Sequence, residues 1–406
     1  MKMNNKIIFG LLILFLAACK DHEAVREGNT WCMEKIIDSD RSIVLSELAD
    51  SLSCIPLETT DESLLDKRAY VLYADSSDIF VRSADAVFHF DSNGAFLHRI
   101  GVRGNGPGEY AMLYSVSVDS CHKCLLFYIG QKRILQWGYN GEYQGEILLG
   151  DSGETTAVCF LGDRIVSENR TYSSEGLQTS LHLLDREGKL QGEFPLYTDG
   201  QIVNRSMHTT PLMYNYHGAV KYKNNYTHSL CQFQDGKVEV EWVFDLGRYS
   251  PSRELLEDVS RKQTLLDEFV QMVDMKESET LIYVLAIHRQ ALKGIILDKV
   301  KGTVLCSQTI AMPQRGGGIM NDLIKGSCFW PSYIDDSNTM YMLVPATFFT
   351  ASAEKNSASY KELQEDDNPV LLKVYPGSHA SASVRQPGFS CLFPQLRNYA
   401  HNMIQK

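Results

Sequence analysis

The residues in this chain that could carry chemistry fall into five groups. Cys121-x-x-Cys124, with His122 between, has the spacing of a redox pair or of half a zinc site. The run Gly101-Val102-Arg103-Gly104-Asn105-Gly106-Pro107-Gly108, followed by Glu109 and Tyr110, has the glycine density of a loop that cradles phosphate. Tyr214-Asn215-Tyr216-His217-Gly218, with Tyr222 and Tyr226 beyond, offers aromatic faces for sugar rings and polar donors for hydroxyls. Asn321, Asp322, Trp330 and Tyr333 form a fourth polar and aromatic group. The densest carboxylates are Asp335-Asp336 and Glu365-Asp366-Asp367. Paired carboxylates suit glycoside hydrolysis when they stand roughly 5 Å apart (retaining) or roughly 6.5–9.5 Å apart (inverting).

What must position these groups is a repeat. Gly94, Gly141, Gly188, Gly236 and Gly302 each sit between two strand-like runs, at intervals of 47, 47, 48 and 66 residues. Each copy reads as an apolar strand, a turn needing φ > 0 at or beside its glycine, and another strand. A period of about 40–50 residues built from strands and hairpins is that of a β-propeller with one four-stranded blade per repeat. The expectation is an all-β, six-bladed propeller over residues 42–376, with blades near 65–100, 108–150, 155–198, 213–247, 279–312 and 326–376. Ser42–Leu45 supplies the strand that closes the ring, removing an open edge. The long fourth interval predicts a helical insertion near 250–276, where Leu255, Leu256, Val259, Leu266, Phe269, Val270 and Val273 recur at helical spacing after Pro251. A second insertion, Thr347–Asn368, interrupts the last blade, with a short helix over Ala353–Leu363. Residues 377–406 are a tail packed on or beside the propeller.

On that frame the chemistry thins. Tyr110–Val118 reads as a strand and no Lys-Ser/Thr follows, so the glycine-rich run is a crossover between blades. Arg103, Glu109 and Tyr110 then stand at the mouth of the ring. Cys121 and Cys124 fall in a hairpin, whereas redox pairs sit at helix N-termini. The tyrosines either bind a sugar through Tyr216 and His217 or fill the gap between blades, and Trp330 either lines a site or wedges two blades. The acidic runs lie in turn or insertion text. No His-Glu-x-x-His pair or Gly-x-Ser-x-Gly elbow occurs. No metal site and no cofactor are expected; calcium enters only under an enzyme alternative with dispersed carboxylates.

The chain has 406 residues, 44% hydrophobic content and a formal charge of −11. A large core is therefore affordable, and the acidic balance with no basic cluster excludes nucleic acid as a partner. Lys2 and Lys6 precede a 12-residue apolar run, Ile7–Ala18, too short to span a bilayer and right for a signal-peptide core. It ends in Leu16-Ala17-Ala18-Cys19, the form of a bacterial lipobox. Residues 1–18 are thus read as a signal peptide, Cys19 as lipidated and residues 19–41 as a tether. The remaining nine cysteines are odd in number and irregularly spaced, which is no disulfide framework.

Several stretches resemble the Bacteroidetes family of six-bladed β-propeller lipoproteins. These are Ile55-Pro56-Leu57-Glu58-Thr59-Thr60, Arg99-Ile100-Gly101 through Gly104-Asn105-Gly106-Pro107-Gly108-Glu109-Tyr110, Asn321-Asp322 with Phe329-Trp330-Pro331, and Asp367-Asn368-Pro369-Val370-Leu371. Ile100–Trp137 also resembles an NHL-type blade, and Lys20-Asp21-His22-Glu23 is similar to the acidic signal that sends such lipoproteins to the outer leaflet. The resemblance implies an outer-membrane address, facing the cell exterior. The lipobox, the rigid repeat scaffold and the lack of a recognisable catalytic set give the expectation of a non-catalytic binding module for a glycan or partner protein, and the resemblance implies a glycan-utilisation system as its setting. The alternatives are a propeller hydrolase or lyase acting on carbohydrate, and a structural partner of an outer-membrane transporter.

Overall fold

The structure is a computed structural model, described for residues 25–150, 153–173, 176–196, 211–224, 227–251, 268–324, 327–350, 363–377 and 390–392. Six four-stranded antiparallel sheets stand as blades around a ring, their first strands neighbouring one another in order. Blade 1 comprises Tyr70–Ala74, Asp78–Ser83, Ala86–Asp91 and Phe96–Ile100. Blade 2 comprises Ser115–Asp119, Cys124–Tyr128, Arg133–Gly138 and Tyr143–Leu148. Blade 3 is Glu154–Leu161, Arg164–Ser173, Gly176–Leu184 and Leu190–Pro195. Blade 4 is Leu212–Tyr216, Ala219–Lys223, Ser229–Gln234 and Lys237–Asp245. Blade 5 is Gln271–Glu277, Leu281–His288, Ala291–Asp298 and Thr303–Thr309. Blade 6 takes Tyr333–Ile334, Met340–Val344 and Val370–Pro376, and its fourth strand, Ala49–Pro56, comes from the N-terminal side of the chain. Among the described residues, α-helix is confined to Met33–Asp38 and Thr347–Thr350.

The glycine period has a packing cause. All five repeat glycines have φ between +67° and +89° and lie between the third and fourth strands of their blades. At Gly94 a Cβ would run into the Pro56 carbonyl oxygen, and at Gly188 into that of Leu148. Pro56 and Leu148 end the fourth strands of the preceding blades. At these two glycines one blade's turn is pressed against the strand end of the blade before it, so conformation and contact both require the missing side chain. At Gly141 and Gly236 an added Cβ would meet only ordinary contacts, and the positive φ alone favours glycine.

The ring closes seven residues later than the sequence suggests. Ala49–Pro56 pairs antiparallel with Val370–Pro376, from Pro56 opposite Val370 to Ala49 opposite Pro376. Ser42–Leu45, expected in that role, makes a single bridge from Val44 to Met320 and then enters a 3-10 turn over Leu45–Glu47. The polar residues of that turn decide the matter. Glu47 Oε1 accepts the Val44 N–H at 3.0 Å, and Asp322 Oδ1 accepts the Ser46 N–H at 2.9 Å. Those bonds hold the backbone bent where a strand would need it extended.

Three other expectations change. Residues 19–41 are not simply a tether, because the chain is folded onto the ring from Arg26 onward. Arg26–Glu27 and Thr30–Cys32 form a hairpin whose second strand runs parallel to Val243–Asp245 of blade 4. Met33, Ile36 and Ile37 of the following helix are buried. The helical insertion near 250–276 lies mostly outside the described residues, and from Gln271 it is the first strand of blade 5. A register shift between Met272 and Asp274 breaks the two-residue alternation there, which let the apolar spacing pass for a helix. Of the second insertion, one helical turn over Thr347–Thr350 is described, and 351–362 fall outside. Of the C-terminal tail, Ser390–Leu392 pairs antiparallel with Val116–Val118, the first strand of blade 2.

Large apolar side chains fill the spaces between blades: Phe80, Phe90, Phe127, Phe160 and Trp330 are all buried. Among the described residues seven cysteines are free thiols, and Cys159 is disulfide-bonded.

Candidate functional site

Antiparallel blades place the crossovers between blades at the same end of the ring as the turns joining second and third strands. The crossover from blade 1 to blade 2, residues 101–114, is the most fully built of these. Glu109 Oε2 accepts the Gly106 N–H at 2.7 Å, and the Gly104 N–H donates to the Tyr110 carbonyl at 3.1 Å, so the loop is tied to itself. The buried Tyr110 hydroxyl donates to the Asp85 carbonyl, and burial pushes its phenol pKa up. Arg82, also buried, donates from Nη2 to the Leu113 carbonyl at 2.9 Å and from Nε to the Ala84 carbonyl at 2.8 Å. Two of the three residues singled out from sequence thus shape the loop. The third, Arg103, is presented by it, with a side chain 70% exposed and 3.2 Å from Asp85. Beside it stand Val102, 51% exposed, and Met112, 53% exposed. Tyr143 packs against Gly108 and leaves its ring partly exposed. A rigid loop that holds two apolar side chains and a guanidinium in water can bind without first being ordered.

Tyr216 and His217 lie elsewhere, where blade 4 meets blade 5. The Tyr214 hydroxyl donates to Glu277 Oε1 at 2.5 Å, and Lys299 Nζ is 3.2 Å from Glu277 Oε2. Lys221 Nζ donates to Glu241 at 2.5 Å and to Gln232 at 2.7 Å. Both ammonium groups also face the Tyr216 ring, at 5.5 Å and 5.0 Å from its centroid. Burial, and then the Glu277 charge, push the Glu241 carboxyl up. His217 is a turn residue with φ of 50°, its ring edge-on to Tyr216. The two lysines and two glutamates cancel one another, and the tyrosines stand inside that network.

The fourth group is divided. Asn321 Oδ1 accepts the N–H groups of Leu323 and Ile324, and Asp322 pins the turn at Ser46, whose bonds hold its carboxyl below the usual range. Trp330 is buried edge-on to Tyr283, and a Cβ at Gly294 would strike its ring, so it wedges blade 5 against blade 6. Tyr333 is buried 5.6 Å from the Tyr73 ring, joining blade 6 to blade 1. Asp335 accepts the Ser337 and Thr339 N–H groups and the Tyr341 hydroxyl, and burial pushes its carboxyl up.

The Cys121–Cys124 hairpin is organised by Asp119. Its carboxylate accepts the Cys121 and His122 N–H groups at 3.1 Å, meets His122 Nδ1 at 2.8 Å and pairs with Arg186. Burial and the Asp119 charge push both thiols up, away from the reactive thiolate. Among the described residues no group of three or more His, Cys, Asp or Glu side chains is placed to hold a metal ion.

Sequence reading passed over two buried polar sets. Glu168 and Arg170, alternate residues on one strand of blade 3, are 2.7 Å apart, and Glu168 also accepts the hydroxyls of Tyr222 and Thr156. Lys223 is wholly buried, donating to the Asn224 carbonyl at 2.9 Å and the Thr227 carbonyl at 2.5 Å, and burial lowers its pKa to about 7. The signal available was charge at every second position of strands that otherwise alternate toward the core.

Residues 29–375 match the family described as a domain of unknown function, DUF4934. The chain belongs to the DUF4934 family. None of the curated proteins compared matches it. A Bacteroides fragilis protein whose name describes it as exported superposes with a TM-score of 0.63 at 15% identity, covering 84% of this chain and 98% of that one. A Bacteroides vulgatus member of the DUF4221 family gives a TM-score of 0.49 at 11% identity, covering 80% and 97%. The first likeness shows the fold of this DUF4934 chain. The family match spans every blade, from the hairpin on blade 4 to the third strand of blade 6. Among its described residues no helix is long and apolar enough to cross a membrane.

Proposed function

We propose that this chain is a lipid-anchored, outer-membrane binding propeller, facing the cell exterior, whose recognition surface is the crossover from blade 1 to blade 2. The observation that carries the reading is the exposure of Val102, Arg103 and Met112 on a loop that Glu109, Tyr110 and Arg82 hold rigid. Exposed apolar side chains beside an arginine suit a partner protein, since such residues supply the centre of protein interfaces. The lipobox at Cys19 and its resemblance to exported lipoproteins support the address. A transporter of the outer membrane is one partner that such an address allows.

The half-exposed Tyr143 ring beside the loop favours a second reading, in which the same surface stacks on a glycan. For the hydrolase or lyase alternative, Asp119, Glu168, Glu277 and Asp298 are the buried carboxylates to weigh among the described residues; each is already occupied by protein donors.

The test compares the wild-type chain with a Val102→Glu/Met112→Glu variant. Each is used to capture outer-membrane proteins and to probe a glycan array. Loss of one retained partner or glycan in the variant supports the surface. Identical capture and identical glycan binding by the two proteins would refute it.

A further inference from the structure

The place of Val25 and Arg26 on the ring bears on how the ring sits above a bilayer, given the proposed lipid on Cys19. The Val25 N–H donates to the Gly302 carbonyl at 3.1 Å, and Arg26 donates to the Lys299 carbonyl. Gly302 and Lys299 belong to the turn between the third and fourth strands of blade 5. The Arg26–Cys32 hairpin is laid on the outer strand of blade 4. The chain therefore joins the ring at the rim where blades 4 and 5 meet. Val25 is six residues beyond Cys19. Even fully extended, that length spans only about 20 Å.

We infer that the propeller stands on its rim, with blades 4 and 5 against the lipid surface and blades 1 and 2 farthest from it. The same turn of blade 5 carries Val300, 71% exposed and the most exposed large apolar residue described, followed by Lys301, whose exposed side chain places its ammonium 3.3 Å from Asp298 Oδ2. An apolar tip beside a cation fits the boundary between acyl chains and headgroups, where the aliphatic group enters and the ammonium stays wet. Opposite, across a six-bladed ring, lies the crossover bearing Val102, Arg103 and Met112. The tether thus directs that surface outward, to a partner beyond the membrane plane.

The inference rests on the lipid-anchor reading, and its test separates the two. Single cysteines replace Val300 or Met112 in a Cys121→Ser background, which removes the exposed native thiol, and each carries an environment-sensitive NBD probe. The acylated protein is bound to phosphatidylcholine vesicles containing doxyl-labelled lipid. The expected result is loss of emission at position 300 and none at position 112. Quenching at 112, equal quenching at both positions, or none at either overturns the orientation. If the protein carries no acyl group and does not float with vesicles, the anchor reading fails by itself. The chain with Cys19 joined to a maleimide lipid then gives the same two positions to compare, and the same outcomes decide the orientation.

Discussion

The side-chain amide of Asn368 donates to the Glu58 carbonyl at 2.7 Å and to the Ser63 carbonyl at 2.9 Å, and its oxygen accepts the Leu65 N–H at 2.9 Å. Asn368 stands two residues before the third strand of blade 6, while Glu58, Ser63 and Leu65 belong to the chain leaving its fourth strand for blade 1. One amide thus fastens the two ends of the propeller domain, some three hundred residues apart in sequence, where the ring closes.

Replacing Asn368 with alanine takes this partner from the Ser63 carbonyl and the Leu65 N–H, while the Glu58 carbonyl keeps the Ser63 hydroxyl. Each group left unpaired costs about 1–3 kcal/mol. The expected loss is at least about 2 kcal/mol, read as a lower urea midpoint at unchanged slope. An unchanged midpoint would mean that water replaces the amide.

Gly94→Ala faces both a φ of +89° and the Pro56 carbonyl. The backbone term alone is on the order of 1 kcal/mol, and the contact adds to it. Gly28→Ala serves as the control, since φ there is +60° but open space surrounds the added carbon. Gly94→Ala should lower Tm clearly more than Gly28→Ala. Equal shifts would show that conformation, not packing, fixes the repeat glycine.

Lys223 gives the chain a pH signature. Its folded pKa, about 7, lies below the unfolded value near 10.4, so folding favours the neutral amine. Below about pH 7 both states hold the proton and the burial cost is complete. Between about pH 7 and 10.4 the unfolded chain holds more protons, so stability rises with pH through that window. Lys223→Met removes the group. The variant should be the more stable protein at pH 6, and its advantage should shrink by pH 9, as followed by chemical denaturation. An advantage independent of pH would place the amine in the charged form throughout.

Met112→Glu sits on an exposed crossover with no buried contact to lose, so stability should change by no more than about 0.5 kcal/mol. Partner capture should fall while the melting curve stays in place. A collapse of the fold would show Met112 to be structural.

Cys19→Ala should release the protein from the membrane fraction. Retention there would mean that something other than an acyl chain holds it.

The sequence by itself determined the scaffold. The glycines recur because each blade has a turn with φ > 0 between its third and fourth strands, and such a constraint is written locally, in residue type and interval. The blade spans could be read for the same reason, since each hairpin is short-range. Tertiary structure alone decided the closing strand, because Ser42–Leu45 reads as a strand in sequence until Asp322, distant in the chain and set in the crossover from blade 5 to blade 6, takes the Ser46 N–H. It also separated side chains that build from those that are presented. Glu109, Tyr110, Trp330 and Tyr333 turned inward to satisfy backbone groups or fill seams between blades, whereas Arg103 remained in solvent. Residue type could not distinguish these, since a carboxylate or an aromatic ring serves either purpose and only its neighbours in space say which.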